Sequence, residues 1–488
     1  VVEPAPVTTP DAVGSGAPVP AGTQLRADPS LEWVDGAVLA GGSPWRLVRL
    51  TDRGARLVEA WCDGEPVPAE PAATALARRL LDAGLLHPVR APRTVAAATL
   101  DVVVPVRDGA DALDEVLRAL VGVTTGRVLV VDDGSVDAAA VARVAAAHGA
   151  ALVRRDVPGG PGAARNAGIH ATVAPFVAFV DSDVRPGPGF LEGLVAHFDD
   201  PAVGAVAPRI VGPSGRGARE RFEASASPLD LGRRAGAVHP GTAIPYVPAA
   251  ALVVRRTALA DGFDATLRTG EDVDFVWRLV DRGWRVRYEP SVVVTHAARP
   301  TWRTWFAQRY AYGLSAAPLE ARHGDAAAPL RADPRVLATL ALVLAGRPRA
   351  AATLLGWSAA SLARQLDGVV PRASSDATAR RLAARGTALA APGLARAAFR
   401  SYGPLLVAAA VAVSPARRPV VAVAAAATAV RWWRAGRPTP RVAFAALSVA
   451  DDLAYGTGVL VGAARARSLG ALRPRLRPAV RAPAVSAR

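Results

Sequence analysis

The 488-residue chain contains no lysine, so all 58 of its basic residues are arginine. Chemistry that depends on a lysine is thereby excluded: the phosphate-binding P-loop, the kinase strand lysine and Schiff-base catalysis. A single cysteine, Cys62, rules out an internal disulfide and any cysteine-rich zinc site, as expected in a reducing compartment. Residues Val1–Ala21 carry early acids and lack the basic and apolar regions of a signal peptide. They are expected to form a disordered lead on a protein that stays on the cytoplasmic side. Long uncharged runs are missing too: in the last third the longest, Ser401–Ala416, falls short of the roughly 18–20 residues a spanning helix needs.

What is present is an enzyme-sized body. Hydrophobic residues make up 51% and charged residues 20%, and the length suggests about three folded units. Within residues 22–90, strand-like Leu31–Val34, an Asp35-Gly36 turn, Ala37–Leu39 and Trp45–Leu50 precede two helices. The helices run over 52–62, capped by Thr51, and 71–83, completing a small winged-helix-like domain.

Residues 91–325 alternate apolar strands (100–106, 127–131, 151–153, 176–180) with helices (111–121, 136–148, 162–173). That rhythm predicts an α/β fold with a parallel sheet whose ligands sit at the carboxyl ends of its strands. Residues 326–464 are rich in Ala, Val, Leu and Arg, and three arrangements remain open for them: interfacial or re-entrant helices, tilted spans, or an Ala-rich helical bundle. The 42 acids leave a net charge of +16, concentrated in a basic tail, 465–488. An anionic membrane surface is the expected partner of that tail, the plain alternative being a solvated one. No nucleic-acid recognition motif accompanies the charge, so a nucleic-acid partner is not expected. A nicotinamide dehydrogenase is disfavoured because Arg107-Asp108-Gly109-Ala110, after the first strand, lacks the dinucleotide glycines.

Three acidic clusters fall at ligand positions. Asp132-Asp133-Gly134-Ser135 ends one strand and Asp181-Ser182-Asp183 ends another. Two acids at i and i+2 suit a divalent ion with oxygen ligands, Mg²⁺ or Mn²⁺, or a ribose and a metal together. Helix capping by such residues is the plain alternative. Gly270-Glu271-Asp272 opens an amphipathic helix, where the macrodipole favours an ionised carboxylate fit to act as a base. Gly159-Gly160-Pro161-Gly162, followed by Arg165, can wrap amides and a guanidinium around a base or phosphate.

Together with Val102-Val103-Val104-Pro105-Val106 and Ala164-Arg165-Asn166-Ala167-Gly168, these motifs resemble family 2 glycosyltransferases of GT-A fold, over about 100–323. The resemblance implies a UDP-sugar donor, a divalent metal, and inversion at the anomeric carbon. It places Pro105, Val106, Asp133, Arg165, Asp181 and Glu271 around the donor, with Asp133 at the base and Asp181 at the ribose. Asp183 and His296 would serve the metal, and Asp272 would be the catalytic base. Gln308-Arg309-Tyr310 only loosely resembles the Gln-x-x-Arg-Trp element of processive members. With Trp302 and Trp305 it forms a candidate acceptor-binding set, an amphipathic interface helix being the alternative. Residues 25–86 resemble PqqD-like peptide-recognition domains, which implies a peptide-derived acceptor. The head, core and tail in this order resemble glycosyltransferases of mycofactocin systems, which implies β-1,4-linked glucose on a redox cofactor precursor. Two other readings remain: a lipid-linked or cell-envelope glycan as acceptor, or an inactive peptide-binding scaffold.

Overall fold

The computed structural model describes residues 17–96, 99–121, 126–366, 372–438 and 440–476. They divide between two compact units, the first drawn from Val1–Asp28, Leu57–Pro213 and Ser227–Ala297, the second from Pro29–Arg56, Ser214–Ala226 and Ala298–Arg488. Most of the expected disordered lead lies outside the described residues. Its last part, residues 17–21, is ordered instead. Val19 is buried and donates its N–H to the Thr74 carbonyl, while Arg78 Nε donates to the Ala17 carbonyl at 2.7 Å.

Seven elements open the chain: β1 (Gln24–Ala27), β2 (Glu32–Asp35), β3 (Val38–Gly41), β4 (Arg46–Arg49), α1 (Asp52–Cys62), α2 (Pro71–Asp82) and β5 (Leu86–Val89). β2, β3 and β4 form the antiparallel meander expected around Asp35-Gly36, and Thr51 Oγ1 caps α1 by accepting from the Gly54 N–H at 3.1 Å. β1 and β5, not expected from the sequence, pair antiparallel with each other. The 22–90 segment therefore contributes the meander to the second unit and β1, α2 and β5 to the first.

The first unit continues with β6 (Leu100–Val106), α3 (Ala110–Val121), β7 (Val128–Asp133), α4 (Ala138–Ala147), β8 (Ala151–Arg155), α5 (Pro161–His170), β9 (Phe176–Val180), β10 (Val184–Pro186), α6 (Phe190–Val195) and β11 (Val203–Val211). Its strands join one sheet ordered β10-β14-β11-β13-β9-β6-β7-β8, completed after α7 (Ala218–Ala226) by β12 (Gly236–Val238), which pairs with β14, then β13 (Ala251–Arg255), α8 (Glu271–Asp281) and β14 (Arg285–His296). The fold is α/β, as expected, but the sheet is mixed. β6, β7, β8 and β9, joined by α3, α4 and α5, are parallel, whereas β13 runs antiparallel to both β9 and β11. β11 and β14 are parallel to each other. Val102, Val104, Val130, Val180, Leu113, Leu117 and Leu120 share one buried core. Each such side chain contributes about 2 kcal/mol of burial. Strands covered on both faces read as continuous apolar runs, which is why these were visible in the sequence.

In the second unit, α9 (Trp302–Leu314), α10 (Ala316–His323), α11 (Pro334–Leu344), α12 (Pro348–Leu366), α13 (Arg372–Ala412), α14 (Arg417–Arg434) and α15 (Arg441–Arg465) make a helical body. α9 and α15 touch backbone to backbone: a Cβ on Gly313 would collide with the Tyr455 carbonyl, and one on Gly458 with the Tyr310 carbonyl. Only glycine permits that approach. Val38 of the meander packs with Ala363 of α12 and Ala379 of α13. Among the described residues one helix, α15, is long and apolar enough to cross a membrane by length and composition, with mean hydropathy 1.3. It carries Asp451 and Asp452 in its middle, both buried against arginines of α9, α13 and α14. Of the basic tail, Arg475 pairs with Asp325 at 2.7 Å, and residues 477–488 lie outside the described residues.

Candidate active site

The first acidic cluster is built by the register of two strands. Asp132 and Asp133 still belong to β7, two residues beyond the expected strand end, because Arg154 and Arg155 stand opposite them on β8 and form ion pairs with them. Asp132 also accepts from the Ser135 N–H at 2.9 Å, which closes the turn. Gly134 sits at φ +74° with its α-carbon against Pro158, a conformation and a space open only to glycine. Asp133 accepts from the Gly159 and Gly160 N–H groups at 2.9 and 2.7 Å. Its carboxylate, expected to meet a nucleotide base, thus holds the glycine loop in place, and Asp137 caps α4 through the Ala140 N–H. Asp108 is a residue that sequence reasoning missed. At φ 53° it accepts from the Val136 N–H at 2.7 Å and donates its own N–H to Ser135 Oγ, tying the end of β6 to the acidic turn. Pro105 and Val106 line that strand end, Val106 buried and in register with Asp132.

Arg165 on α5 does not reach outward to a base or phosphate. It is buried and bridges Asp181 at 2.7 Å and Glu271 at 2.8 Å, lying over the Phe263 ring. Burial opposes its charge, but the two carboxylates outweigh burial and hold the guanidinium above its ordinary pKa. The residue therefore acts as a strut joining the β9 end to the start of α8. Asn166 beside it grips the Phe263 backbone at both polar atoms. Arg268, also missed by sequence reasoning, is exposed with its guanidinium against Gly160, offering a cation at the glycine loop. Its signal was slight, one arginine three residues before Glu271.

Gly270, at φ 85°, turns the chain into α8 so that Glu271 is buried against Arg165 while Asp272 remains half-buried. Asp272 Oδ1 accepts from the Val273 N–H at 2.8 Å, and Oδ2 faces the Ala249 N–H at 3.4 Å. The helix start was expected to keep these carboxylates ionised, but burial wins. It pushes Glu271 up to about 7, assisted by the charge of Asp272 and opposed by Arg165. Asp272 is raised for the same first reason, burial, against the pull of Arg165. Two neighbouring carboxylates, of which only Glu271 is paired with Arg165, favour retaining a proton.

At the other side of the sheet edge β10 pairs with β14, setting Val184 opposite His296. His296 Nδ1 lies 2.9 Å from the Ala297 carbonyl, an acceptor, so Nδ1 carries the proton. Nε2 faces Asp183 Oδ1 at 3.3 Å, an ion pair when the ring is protonated. With Nε2 deprotonated, the same two atoms would offer a cation a nitrogen and an oxygen ligand, and an imidazole fixed through Nδ1–H to a carbonyl is the usual arrangement of a metal-bound histidine. Among the described residues no group of three His, Cys, Asp or Glu side chains gathers around one point. The pair thus suits an ion whose remaining ligands come from solvent and phosphate oxygens, as with Mg²⁺ or Mn²⁺.

The candidate acceptor residues all lie in the second unit, and two of them require correction. Trp305 and Arg309 are completely buried. Trp305 Nε1 donates to Glu223 at 2.7 Å, and Arg309 lies over the Trp305 ring at 4.1 Å while pairing with Glu223 and with Asp451 at 2.9 Å. Neither presents a face to an acceptor, because the i, i+4 spacing turns both into the helical body. Gln308 accepts from Arg309 at 2.7 Å, Tyr310 is half-buried, and Trp302 is exposed beside Arg219.

The family model for Glycosyl transferase family 2 matches residues 101–263. The pre-mycofactocin glycosyltransferase of Mycobacterium tuberculosis strain H37Rv is 40% identical over 460 residues, covering 91% of this chain and 95% of that protein. Glycosyltransferase AglE of Haloferax volcanii is 28% identical over 212 residues, 41% of this chain and 67% of AglE. Among solved structures, the Pyrobaculum calidifontis mannosyltransferase PcManGT, in complex with GDP-Man and Mn²⁺, is 20% identical with a TM-score of 0.42, over 76% of this chain and 89% of that one. The extent of the mycobacterial match, which runs through both units, settles the family. The chain belongs to the pre-mycofactocin glycosyltransferases of glycosyltransferase family 2.

Proposed function

We propose that this glycosyltransferase transfers glucose from UDP-glucose, with inversion, to a peptide-derived redox cofactor precursor, building β-1,4-linked glucose on pre-mycofactocin. The observation that carries the reading is the gathering of Asp181, Glu271 and Asp272 around the Arg165 strut, at the strand ends that also bear Asp183 and His296. Asp181 is poised for the ribose, and the glycine loop held by Asp133, with Arg268 beside it, frames the base and phosphates. Asp183 and His296 would hold the divalent ion, which supplies neutralisation of the departing diphosphate. Asp272 takes the proton of the acceptor hydroxyl as that oxygen forms its bond to the anomeric carbon. The bond to the diphosphate breaks on the opposite face, and the diphosphate leaves with the electron pair. A carboxylate whose pKa is raised by burial is a stronger base than one in water, provided the pH keeps it ionised.

The site of action in this proposal is the cytoplasmic face of the membrane, at an anionic lipid surface. Large exposed apolar side chains recur on the helices of the second unit, including Trp357, Leu389, Val411, Trp433 and Val442. Two of these helices, α14 and α15, carry Arg417, Arg418, Arg434 and Arg441, the pairing of apolar and basic groups that suits an interfacial helix. β1 and β5 offer a short sheet for a peptide strand, the mode proposed for the PqqD-like segment. The test is incubation of the chain with UDP-glucose, Mn²⁺ and pre-mycofactocin, followed by mass spectrometry and NMR of the anomeric proton. Successive hexose additions with β couplings are expected, and an unmodified acceptor in the presence of folded protein would overturn the assignment.

A further inference from the structure

The Ala-Arg-Asn-Ala-Gly run on α5 holds a residue to which the donor and metal sites give no task. Asn166 is half-buried, and its carboxamide is spent on one residue 97 positions away. Nδ2 donates to the Phe263 carbonyl at 2.7 Å, and Oδ1 accepts from the Phe263 N–H at 2.7 Å. A main-chain residue offers one donor and one acceptor; a carboxamide answers both from a single side chain, whereas a carboxylate only accepts. Gly262 lets the two come this close. It sits at φ 57°, and a Cβ there would collide with Asn166 Oδ1.

Phe263 opens the segment that leads to Asp272. The Gly262–Phe263 peptide is gripped from two sides, its N–H by Asn166 of α5 and its carbonyl by Arg278 of α8 at 2.7 Å. The Phe263 ring is buried, stacked on Phe275 of α8 at 4.4 Å and set edge-on to Phe179 of β9 at 5.2 Å. Asp264 then closes a turn by accepting from the Thr266 N–H at 2.8 Å. Its carbonyl lies so near α5 that a Cβ on Gly162 would approach it to 3.2 Å. At the far end Glu271 is paired with Arg165. The 262–271 segment is therefore fastened to the first half of α5 at both ends, by Asn166 and by Arg165, and Asp272 is the residue that follows. A segment held at both ends has little freedom to shift the group it carries, and a displacement of about 1 Å at a reacting centre costs on the order of a hundredfold in rate.

We infer that Asn166 is a positioning residue for the transfer step: by clamping Phe263 it sets where α8 begins, and so where the Asp272 carboxylate stands. The inference rests on the reading of Asp272 as the base. Asn166 acts through the 262–271 segment, so its loss falls on kcat. Nucleotide affinity is spared, because Asp133 holds the glycine loop independently through the Gly159 and Gly160 N–H groups.

The test is a double-mutant cycle on kcat for UDP release from saturating UDP-glucose, Mn²⁺ and pre-mycofactocin, using wild type, Asn166→Ala, Asp272→Asn and the double variant, with UDP affinity measured by calorimetry. Asn166→Ala should lower kcat at least tenfold with UDP affinity within threefold of wild type. In the Asp272→Asn background the same change should cost less than threefold, because a base that is absent cannot be misplaced; a general weakening of the fold would cost the same factor in both backgrounds. Asn166→Asp has the same size and keeps the acceptor alone, so carrying it through the same cycle keeps the test valid if Asn166→Ala does not fold. A kcat within twofold of wild type, a parallel loss of UDP affinity, or equal factors in the two backgrounds would each overturn the positioning role while leaving Asp272 as the base. Normal turnover in Asp272→Asn alone, or no turnover by the wild type, would overturn the reading of the site and this inference with it.

Discussion

Replacing Glu271 by Gln tests whether burial and neighbouring charge tune the base. Glu271 stands at about 7 against an ordinary 4.5, so near neutral pH it shares a proton with the site around Asp272. Its amide replacement keeps an oxygen for Arg165 but removes the negative charge next to Asp272. At an effective dielectric near 20, two unit charges at roughly 6 Å repel by about 2–3 kcal/mol. At 1.36 kcal/mol per pH unit that is about 2 pH units at most. As the proposed base, Asp272 would lose its function as pH falls and its carboxylate takes up a proton, and because burial raises its pKa the wild-type acid limb of kcat/KM should lie above the ordinary carboxylate range. In Glu271→Gln the limb should move downward by about 1–2 pH units, with kcat/KM on the alkaline plateau reduced less than tenfold. The assay is nucleoside diphosphate release across pH 4–9 in constant ionic strength. An acid limb unmoved by the substitution would refute the idea that this pair titrates together.

Three further outcomes follow from particular contacts. Asp183→Ala should weaken Mn²⁺-dependent UDP binding at least tenfold by calorimetry, and an unchanged affinity with metal present would remove Asp183 from the metal site. Asp451→Asn strips the shared partner from Arg309, Arg400 and Arg431; breaking a buried network of this kind costs about 3–5 kcal/mol, to be read by urea denaturation, and a loss below about 1 kcal/mol would show the network to be dispensable. Gly458→Leu drives a side chain into the Tyr310 carbonyl of α9 and should lower stability by about 2 kcal/mol or more, whereas a variant as stable as wild type would contradict the close helix contact.

The candidate site acids were legible because their signal is local. A strand of apolar residues that ends in Asp-Asp-Gly-Ser or Asp-Ser-Asp announces its own position at the edge of a sheet. Roles that depend on distant partners were not legible. Arg165 belongs to a motif, yet its side chain is captured by Asp181 and Glu271, sixteen and 106 positions away. Trp305 and Arg309 looked like surface binding groups because α9 has no clear apolar face of its own. Their burial comes from Glu223 and Asp451, which no helical period connects to them. The pairing of β1 with β5 is hidden for the same reason, since two four-residue strands more than fifty residues apart carry no shared local signal. The α/β character survived in the pattern, while the antiparallel β13 did not, because direction depends on connections rather than on strand composition.

The most direct measurement is UDP release from UDP-glucose in the presence of pre-mycofactocin, with and without Mn²⁺, by the wild-type chain and by Asp272→Asn. The account predicts metal-dependent release by the wild type and at least a hundredfold loss of kcat in the variant, with UDP-glucose affinity retained. Normal turnover in Asp272→Asn, or wild-type turnover indifferent to removal of the metal, would contradict it.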